Sequence, residues 1–417
     1  MTVTSIFNLV ALLVMLAAAF GYANHRWLRL PHTIGLVVIA LVVSIVVLIT
    51  DELIPTLGLA TTVRGLLTDV EFEDVLMKAL LSFLLFAGAL HVDLDALLQR
   101  RLVIGVMATL GVITSTVIVA ALMYLVFEFF GVPMGFSYCL VFGALISPTD
   151  PIAVMGILKE VRVPQMLETK IAGESLFNDG VGVVLFSILV TLASGGTDTV
   201  DLVDVASLFA LEAVGGIGLG LGAGYIAYRA MRAIDQHSLE VLITLALVMG
   251  TYSVASRLHM SGPLAVVVAG LFVGNHGKRF AMSESTRRHI DTFWTLLDEV
   301  LNSVLFLAIG FEVVAISLTG QVVGASILAI LVVLFARFLA VALPITILKF
   351  REQFTTGAIP VLTWGGLRGG ISVALALALP PTPEKQIILA VTYVVVVFSI
   401  VVQGLTVERV VRATVRV

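Results

Sequence analysis

The chain has 417 residues, of which 59% are hydrophobic and only 12% are charged, with a mean hydropathy of +1.11. Soluble domains carry about 25% charged residues, so this composition excludes a water-soluble globule and predicts a protein embedded in lipid. The net charge of -4 and the absence of a basic stripe exclude a nucleic-acid partner. The single cysteine, Cys139, excludes an intrachain disulfide.

Thirteen apolar runs approach the length of about 20 residues that a transmembrane helix needs. In chain order the predicted spans are 5–24, 32–50, 75–92, 102–130, 135–158, 166–194, 205–233, 239–258, 261–276, 290–313, 320–348, 355–380 and 386–408. The first run lacks the basic flank and cleavage site of a signal peptide, so we expect it to be retained. The sequence therefore predicts an all-α integral membrane protein with about 13 transmembrane helices.

The positions of the basic residues predict the orientation of these spans. With the N-terminus outside and the C-terminus in the cytoplasm, 18 of the 24 Lys and Arg residues fall on the inner side. Four fall outside, and Arg337 and Arg368 lie within spans. Because cytoplasmic loops carry such an excess of positive charge, we expect a multi-pass protein of the inner membrane in this orientation.

Of the charged residues inside the predicted spans, five are the most informative: Asp150, Glu174, Asp179, Arg337 and Arg368. A charge in mid-membrane costs about 2.5–3.5 kcal/mol on insertion scales, so these groups must pair, protonate or face water. Three acids against two bases leave one negative charge, which a cation or a proton can neutralise. Structural ion pairing is the alternative hypothesis. It explains Glu174 and Arg337 at least as well, and Asp150 and Asp179 less well.

Two of the spans contain helix-breaking segments. Ser147-Pro148-Thr149-Asp150-Pro151 interrupts the fifth span, because each proline lacks a backbone N–H and clashes with the preceding turn. Trp364-Gly365-Gly366-Leu367-Arg368-Gly369-Gly370 interrupts the twelfth with four glycines around one arginine. Broken helices at matching places in two inverted halves point to a transporter's binding site. We therefore predict two inverted repeats whose broken helices cross.

The sixth span carries four polar residues on one side of a helix. Glu174 and Asn178 are four residues apart, as are Ser175 and Asp179, so their side chains lie on the same face. Carboxylate, hydroxyl and amide oxygens suit hard cations. This face is the predicted binding site.

The Thr149-Asp150-Pro151 break, the Glu174-Ser175-x-x-Asn178-Asp179 segment and the Gly365–Gly370 arginine segment together resemble the NhaP-type monovalent cation:proton antiporters. These are relatives of the animal sodium/proton exchangers. The resemblance covers nearly the whole chain and implies an NhaA-like fold and a homodimer. It also implies a dimerisation scaffold in residues 1–100 and 200–315, and a transport domain in 101–199 and 316–417.

The resemblance further implies a role for each residue of the site. Na⁺ would bind Asp179, Ser175 and the Thr149 carbonyl, with Asp150 as a further candidate ligand, and Asp179 would also carry the proton. Asn178 would hold the crossing, Glu174 would pair with Arg337, and Arg368 would offset helix dipoles or face an acid. Asparagine before the aspartate is associated with electroneutral one-for-one exchange. No cofactor is expected beside the transported Na⁺ or Li⁺ and H⁺.

Three alternatives to Na⁺/H⁺ exchange remain open on the sequence. A K⁺/H⁺ antiporter would use the same scaffold. A passive cation channel would need no titratable carboxylate, and a membrane aspartyl hydrolase would need Asp150 and Asp179 to share a proton. Asp298 and Glu299 precede Asn302 in the tenth span, where they form either a polar stripe toward the transport domain or an interfacial contact.

Overall fold

The structure is a computed structural model, and it describes residues 3–55, 58, 65, 80–150, 155, 165–195, 202–314, 316, 319–350, 354 and 357–414. Several predicted features lie outside these residues. They are Pro151, most of the connection 51–74, residues 75–79 of the third predicted span, 151–154 and 156–158 of the fifth, and 355–356 of the twelfth.

The described residues form helices, with one isolated β-bridge and no strand among them. In chain order the helices are α1 (Val3–Ala23), α2 (His32–Leu53), α3 (Leu81–Leu90), α4 (Leu94–Gln99), α5 (Arg101–Phe129), α6 (Phe136–Ile146), α7 (Gln165–Ser194), α8 (Leu202–Arg232), α9 (His237–Arg257), α10 (Gly262–Phe272), α11 (Glu284–Glu312), α12 (Gly320–Leu348), α13 (Ala358–Trp364), α14 (Gly370–Leu377) and α15 (Pro383–Thr414). The prediction of an all-α protein is confirmed.

Eight helices of the described part are long and apolar enough to cross a membrane, and α3 and α6 are shorter apolar helices. A described helix overlaps each of the 13 predicted spans. The chain is thus a multi-pass membrane protein. The count of 13 crossings and the inverted repeat stay predictions.

Helices α10 and α11 are among those that extend beyond the spans predicted from hydropathy. Helix α10 continues through a π-helical turn, Val273–Gly277, to Phe280, and α11 begins at Glu284 instead of residue 290. The Ser283 side chain accepts a hydrogen bond from the Thr286 backbone N–H and so caps α11. Both extensions are polar, and an apolar window cannot detect helix outside lipid.

Two groups of packed helices position the breaks. Helix α6 packs against α5 and α7, while α12 packs against α5 and α15, and α14 against α15. In the other group α2 packs against α11, and α10 packs against α3, α8 and α9. The groups meet where α7 contacts α10 and where α11 contacts α14.

Candidate functional site

The two predicted breaks meet in the structure. Helix α6 ends at Ile146, and α13 and α14 leave residues 365–369 outside regular helix. The Asp150 backbone N–H donates to the Leu367 carbonyl oxygen over 2.8 Å, and these two residues form the antiparallel bridge. A broken helix leaves backbone N–H and C=O groups without intrahelical partners. Here one such N–H group of the first break bonds to one such C=O group of the second.

Close approach explains why two glycines stand in the second break. A Cβ atom at Gly366 would collide with the Arg337 guanidinium, and one at Gly369 would collide with the Asp150 carboxylate. Both charged side chains therefore lie directly against the backbone between α13 and α14. Only glycine leaves room for them there.

Asn178 joins α7 to the first break with both ends of its amide. Its Nδ2 donates to Thr149 Oγ1 over 2.8 Å, and its Oδ1 accepts from the Thr149 backbone N–H at 3.3 Å. One turn earlier, the Ser175 hydroxyl donates to the Thr149 carbonyl oxygen. The predicted ligands Ser175 and Thr149 are thus brought into direct contact.

Asp179 lies one turn beyond Ser175 on the same face of α7, and only 5% of its surface is exposed. Its Oδ1 atom has no hydrogen-bond partner within the described residues. Asp150 is close enough for the two carboxylates to interact electrostatically. A buried, incompletely satisfied carboxylate is expensive in its charged form, so this position favours binding of a neutralising cation or proton.

Glu174 and Arg337 form a buried ion pair beside the site. Arg337 Nη1 lies 2.5 Å from Glu174 Oε1, and side-chain exposure is 8% for the arginine and 2% for the glutamate. Arg337 Nε and Nη2 both donate to the Leu362 carbonyl oxygen, at 3.2 and 3.1 Å. The pair therefore ties α7 and α12 to the C-terminal half of α13.

Arg368 faces the end of α6. Its Nη1 donates to the carbonyl oxygens of Ser147 and Pro148, at 2.5 and 2.9 Å. These carbonyls follow the last turn of α6, where the helix dipole places partial negative charge. These contacts are compatible with the predicted role of Arg368 in offsetting a helix dipole, and that role stays a prediction.

A small cavity adjoins the crossing. Its volume is about 10 Å³, roughly the space for one water molecule. Its wall includes Thr149, Asp150, Glu174, Ser175 and Arg337. The cavity contacts Ser175 and Asp150, and Asp179 lies one turn beyond it.

Sequence reasoning missed the polar residues that support the second break. Ser399 Oγ accepts from the Arg368 backbone N–H at 2.8 Å and donates to Gln403 Oε1 at 2.7 Å. Gln403 Nε2 in turn donates to the Trp364 carbonyl oxygen at 2.9 Å, at the end of α13. Two polar residues four apart inside an otherwise apolar span were the available signal.

The first break has similar support from α5. Ser147 Oγ donates to the Gly143 carbonyl oxygen at 2.7 Å, and it lies 2.9 Å from Ser115 Oγ and 3.4 Å from Thr116 Oγ1. These hydroxyls are buried. They hold the end of α6 in place without contributing charge.

The acidic residues of α11 do not form a uniform stripe. Glu299 is exposed and Asp298 is half-buried, whereas Asn302 is buried. One turn further on, Leu305 occupies the space that a Cβ atom at Gly370 would fill, so this face of α11 meets the start of α14. Asn302 thus lies near the contact between the two helix groups.

Comparison with known proteins was made on both sequence and structure. The model of the transmembrane part of the sodium/hydrogen exchangers matches residues 14–413. The Na⁺/H⁺ antiporter NhaP of Pseudomonas aeruginosa is 47% identical over 410 residues, which cover 97% of this chain and 96% of that protein. The Na⁺/H⁺ antiporter NhaH of Halobacillus dabanensis is 34% identical over 411 residues, covering 97% of each.

Among solved structures, the sodium proton antiporter MjNhaP1 from Methanocaldococcus jannaschii superimposes with a TM-score of 0.76. The match covers 98% of this chain and 97% of that one, at 18% sequence identity. At this identity the similarity establishes a common fold.

Proposed function

Because this chain belongs to the sodium/hydrogen exchanger family, we propose that it exchanges Na⁺ or Li⁺ for H⁺ across the inner membrane by alternating access. The relatives named above are transporters, and so is this chain. The observation that carries the proposal is the buried Asp179 carboxylate, with Oδ1 unpartnered among the described residues, beside two helix breaks that meet.

One carboxylate serving two ligands accounts for coupling without a second site. The charged carboxylate is stable in this position when Na⁺ neutralises it, and otherwise it takes a proton, so the two ligands compete. An empty, charged Asp179 would have to cross the low-dielectric barrier unpaired, which is costly. Only the loaded forms therefore move, and exchange is one-for-one and electroneutral.

The proposed Na⁺ ligands are oxygen atoms of Asp179, Ser175 and Thr149, with Asp150 close by. The Ser175–Thr149 contact supports this set, because it already places a hydroxyl and a backbone carbonyl together. Hard monovalent cations prefer such ligands. No cofactor is proposed.

The remaining charged and amide groups organise the site in this proposal. Asn178 fixes the first break to α7, and Arg368 neutralises the end of α6. Glu174 and Arg337 satisfy each other, which leaves the net negative charge on the two aspartates. Because the Glu174–Arg337 pair is neutral overall, only the cation and the proton compete for Asp179.

We also propose that residues 101–199 and 316–417 move as the transport domain against a scaffold of 1–100 and 200–315. The packing of α6 against α5 and α7, and of α12 against α5 and α15, supports the first set. The packing of α2 on α11 and of α10 on α3 supports the second. On the family resemblance, the scaffold forms a homodimer, with N-termini outside and C-termini in the cytoplasm.

Transport assays in proteoliposomes test the proposal. We expect an imposed pH gradient to drive Na⁺ or Li⁺ uphill, at a rate that a permeant counter-ion does not change. Initial rates for Na⁺, Li⁺ and K⁺ across a pH series then show which cation the protein prefers. The sodium/proton relatives favour Na⁺ over the K⁺ alternative. Purely downhill cation flux would instead identify a channel and contradict the exchanger.

Replacing Ser175 with alanine tests the ligand set. Ser175→Ala removes one oxygen from the proposed shell, and we expect the KM for Na⁺ to rise roughly tenfold, equivalent to about 1.4 kcal/mol. The proton-bound form loses no ligand, so the maximal rate should change less. Ser187→Ala, at an exposed position of the same helix, is the matched control. Equal KM values for Na⁺ in the two variants would show that Ser175 is not a ligand of the ion.

A further inference from the structure

A cavity at the junction of α1 and α2 lies apart from the ion site. Its volume is about 570 Å³, within the range of roughly 300–1,000 Å³ for small-molecule sites. Basic and polar side chains dominate its lining, which consists of Gly21, Asn24, His25, Arg26, Arg29, Leu30 and His32. Such a lining fits an anionic ligand.

The charge on the lining of this cavity is one-sided. The first 50 residues of the chain contain no Asp or Glu, and Arg26 and Arg29 are their only Arg or Lys residues. Both side chains are exposed, and in the part of the chain that the structure describes neither forms an ion pair. Two unneutralised guanidinium groups beside one cavity provide the planar donor geometry that phosphate prefers.

The loop that carries these arginines is held in a fixed conformation. The buried Asn24 side chain donates to the Leu30 carbonyl oxygen at 2.9 Å and accepts from the Leu30 backbone N–H at 3.2 Å. Arg29 has φ 56°, a left-handed conformation that non-glycine residues rarely adopt. Its N–H donates to the Asn24 carbonyl oxygen at 2.7 Å. Strained residues held this firmly cluster at binding sites.

The far wall of the cavity is also fixed. His32 begins α2, and its Nε2 atom lies 2.9 Å from Ser303 Oγ on α11. A Cβ atom at Gly35 would collide with the Asn24 side chain, so the two ends of the loop are packed together. The cavity is therefore preformed, which lowers the entropic cost of binding.

Exposed aromatic and apolar side chains place this cavity at the edge of the bilayer. Tyr22 is 66% exposed and Trp27 71% exposed, and their rings meet edge to face at 6.5 Å. Tyr and Trp collect at the headgroup level of membranes. Farther along the two helices, Met15 of α1 and Val46 of α2 are also exposed. A ligand here would have its charged end in the cavity and apolar surface beside its tail.

We propose that the cavity between α1 and α2, lined by Arg26, Arg29, His25 and His32, binds the phosphodiester headgroup of an anionic phospholipid. Basic pockets between transmembrane helices at the cytoplasmic face bind such headgroups. The two arginines contact the phosphate, and the acyl chains lie along the exposed faces of α1 and α2. Asn24 is a positioning residue that holds the loop.

The experiment measures lipid binding to the full-length chain in detergent. We expect phosphatidylglycerol to raise the melting temperature, phosphatidylcholine to have little effect, and native mass spectrometry to show retained phosphatidylglycerol. In the double variant Arg26→Gln with Arg29→Gln, the concentration of phosphatidylglycerol that gives half the shift should rise at least about tenfold, as expected for the loss of roughly 1.4 kcal/mol.

Two further variants keep the result interpretable. Arg229→Gln with Arg232→Gln removes the same charge from exposed positions at the end of α8, and it should respond to lipid as wild type does. Arg29→Gly removes one arginine while adopting the left-handed backbone without strain, so weaker lipid binding there reflects lost contact and not misfolding.

Three outcomes would overturn the proposal. In the first, phosphatidylcholine matches phosphatidylglycerol. In the second, the Arg26/Arg29 variant keeps the wild-type response. In the third, inorganic phosphate alone reproduces the whole shift, which would identify a site for a free anion. Each of these results leaves the exchange proposal untouched, because no residue of this cavity belongs to the ion site.

Discussion

Asp179→Asn should abolish cation-dependent proton flux while leaving the protein folded. The amide has the shape of the carboxylate but neither its charge nor its proton, so it serves neither ligand. We expect the exchange rate in proteoliposomes to fall by roughly 100-fold or more, the lower end of what a single positioned proton-transfer group contributes. Dequenching of a pH-sensitive dye on addition of NaCl measures this directly.

The matched control is Asp95→Asn, because Asp95 is an exposed aspartate in the short helix α4. It should exchange at the wild-type rate. Gel filtration and melting in detergent establish that Asp179→Asn is folded. Near-wild-type exchange by a folded Asp179→Asn protein would refute the central role of this carboxylate.

Breaking the buried pair between Glu174 and Arg337 should cost stability. Removing one partner leaves the other charge buried and uncompensated, at about 3–5 kcal/mol. For a chain of this size we expect the melting temperature in detergent to fall by roughly 5 °C in Glu174→Ala or Arg337→Ala. The double variant should lose less than the sum of the two, because it leaves no isolated charge.

The exposed pair between Glu284 and Arg288 on α11 is the matched control. Its side chains are 79% and 75% exposed, and such pairs contribute about 0–1 kcal/mol. Removing either partner should shift melting by no more than about 1 °C. Wild-type melting of both Glu174→Ala and Arg337→Ala would contradict a structural role for the buried pair.

The helical architecture could be predicted from sequence because lipid enforces it. Without water, the backbone N–H and C=O groups must hydrogen-bond to each other within helices. The length of each apolar run was therefore enough to locate every span that the structure describes. The same rule made Pro148 and the Gly365–Gly370 segment conspicuous. Polar stretches of helix were not visible in this way, and therefore the end of α10 and the start of α11 were misplaced.

The contacts of the site were only partly predictable. The positions of Ser175, Asn178 and Asp179 on one face follow from helical periodicity. The hydrogen bond from Asp150 to Leu367 joins residues far apart in the chain, and no local pattern specifies it. Ser399, Gln403 and Ser115 are uncharged polar residues. Such residues occur in many transmembrane helices, so their presence in an apolar span does not mark them as part of a site. Only their three-dimensional neighbours reveal what they hold.

The crossing of the two breaks has a consequence for the energetics of transport. Asp150 is bonded to Leu367, Arg368 to the end of α6, and Gln403 to the end of α13. In the proposed mechanism, these links keep the proposed ligand atoms together while the transport domain moves, so the bound ion keeps the same neighbours. The contact that has to change is then the one between α11 and α14, where Leu305 packs against Gly370.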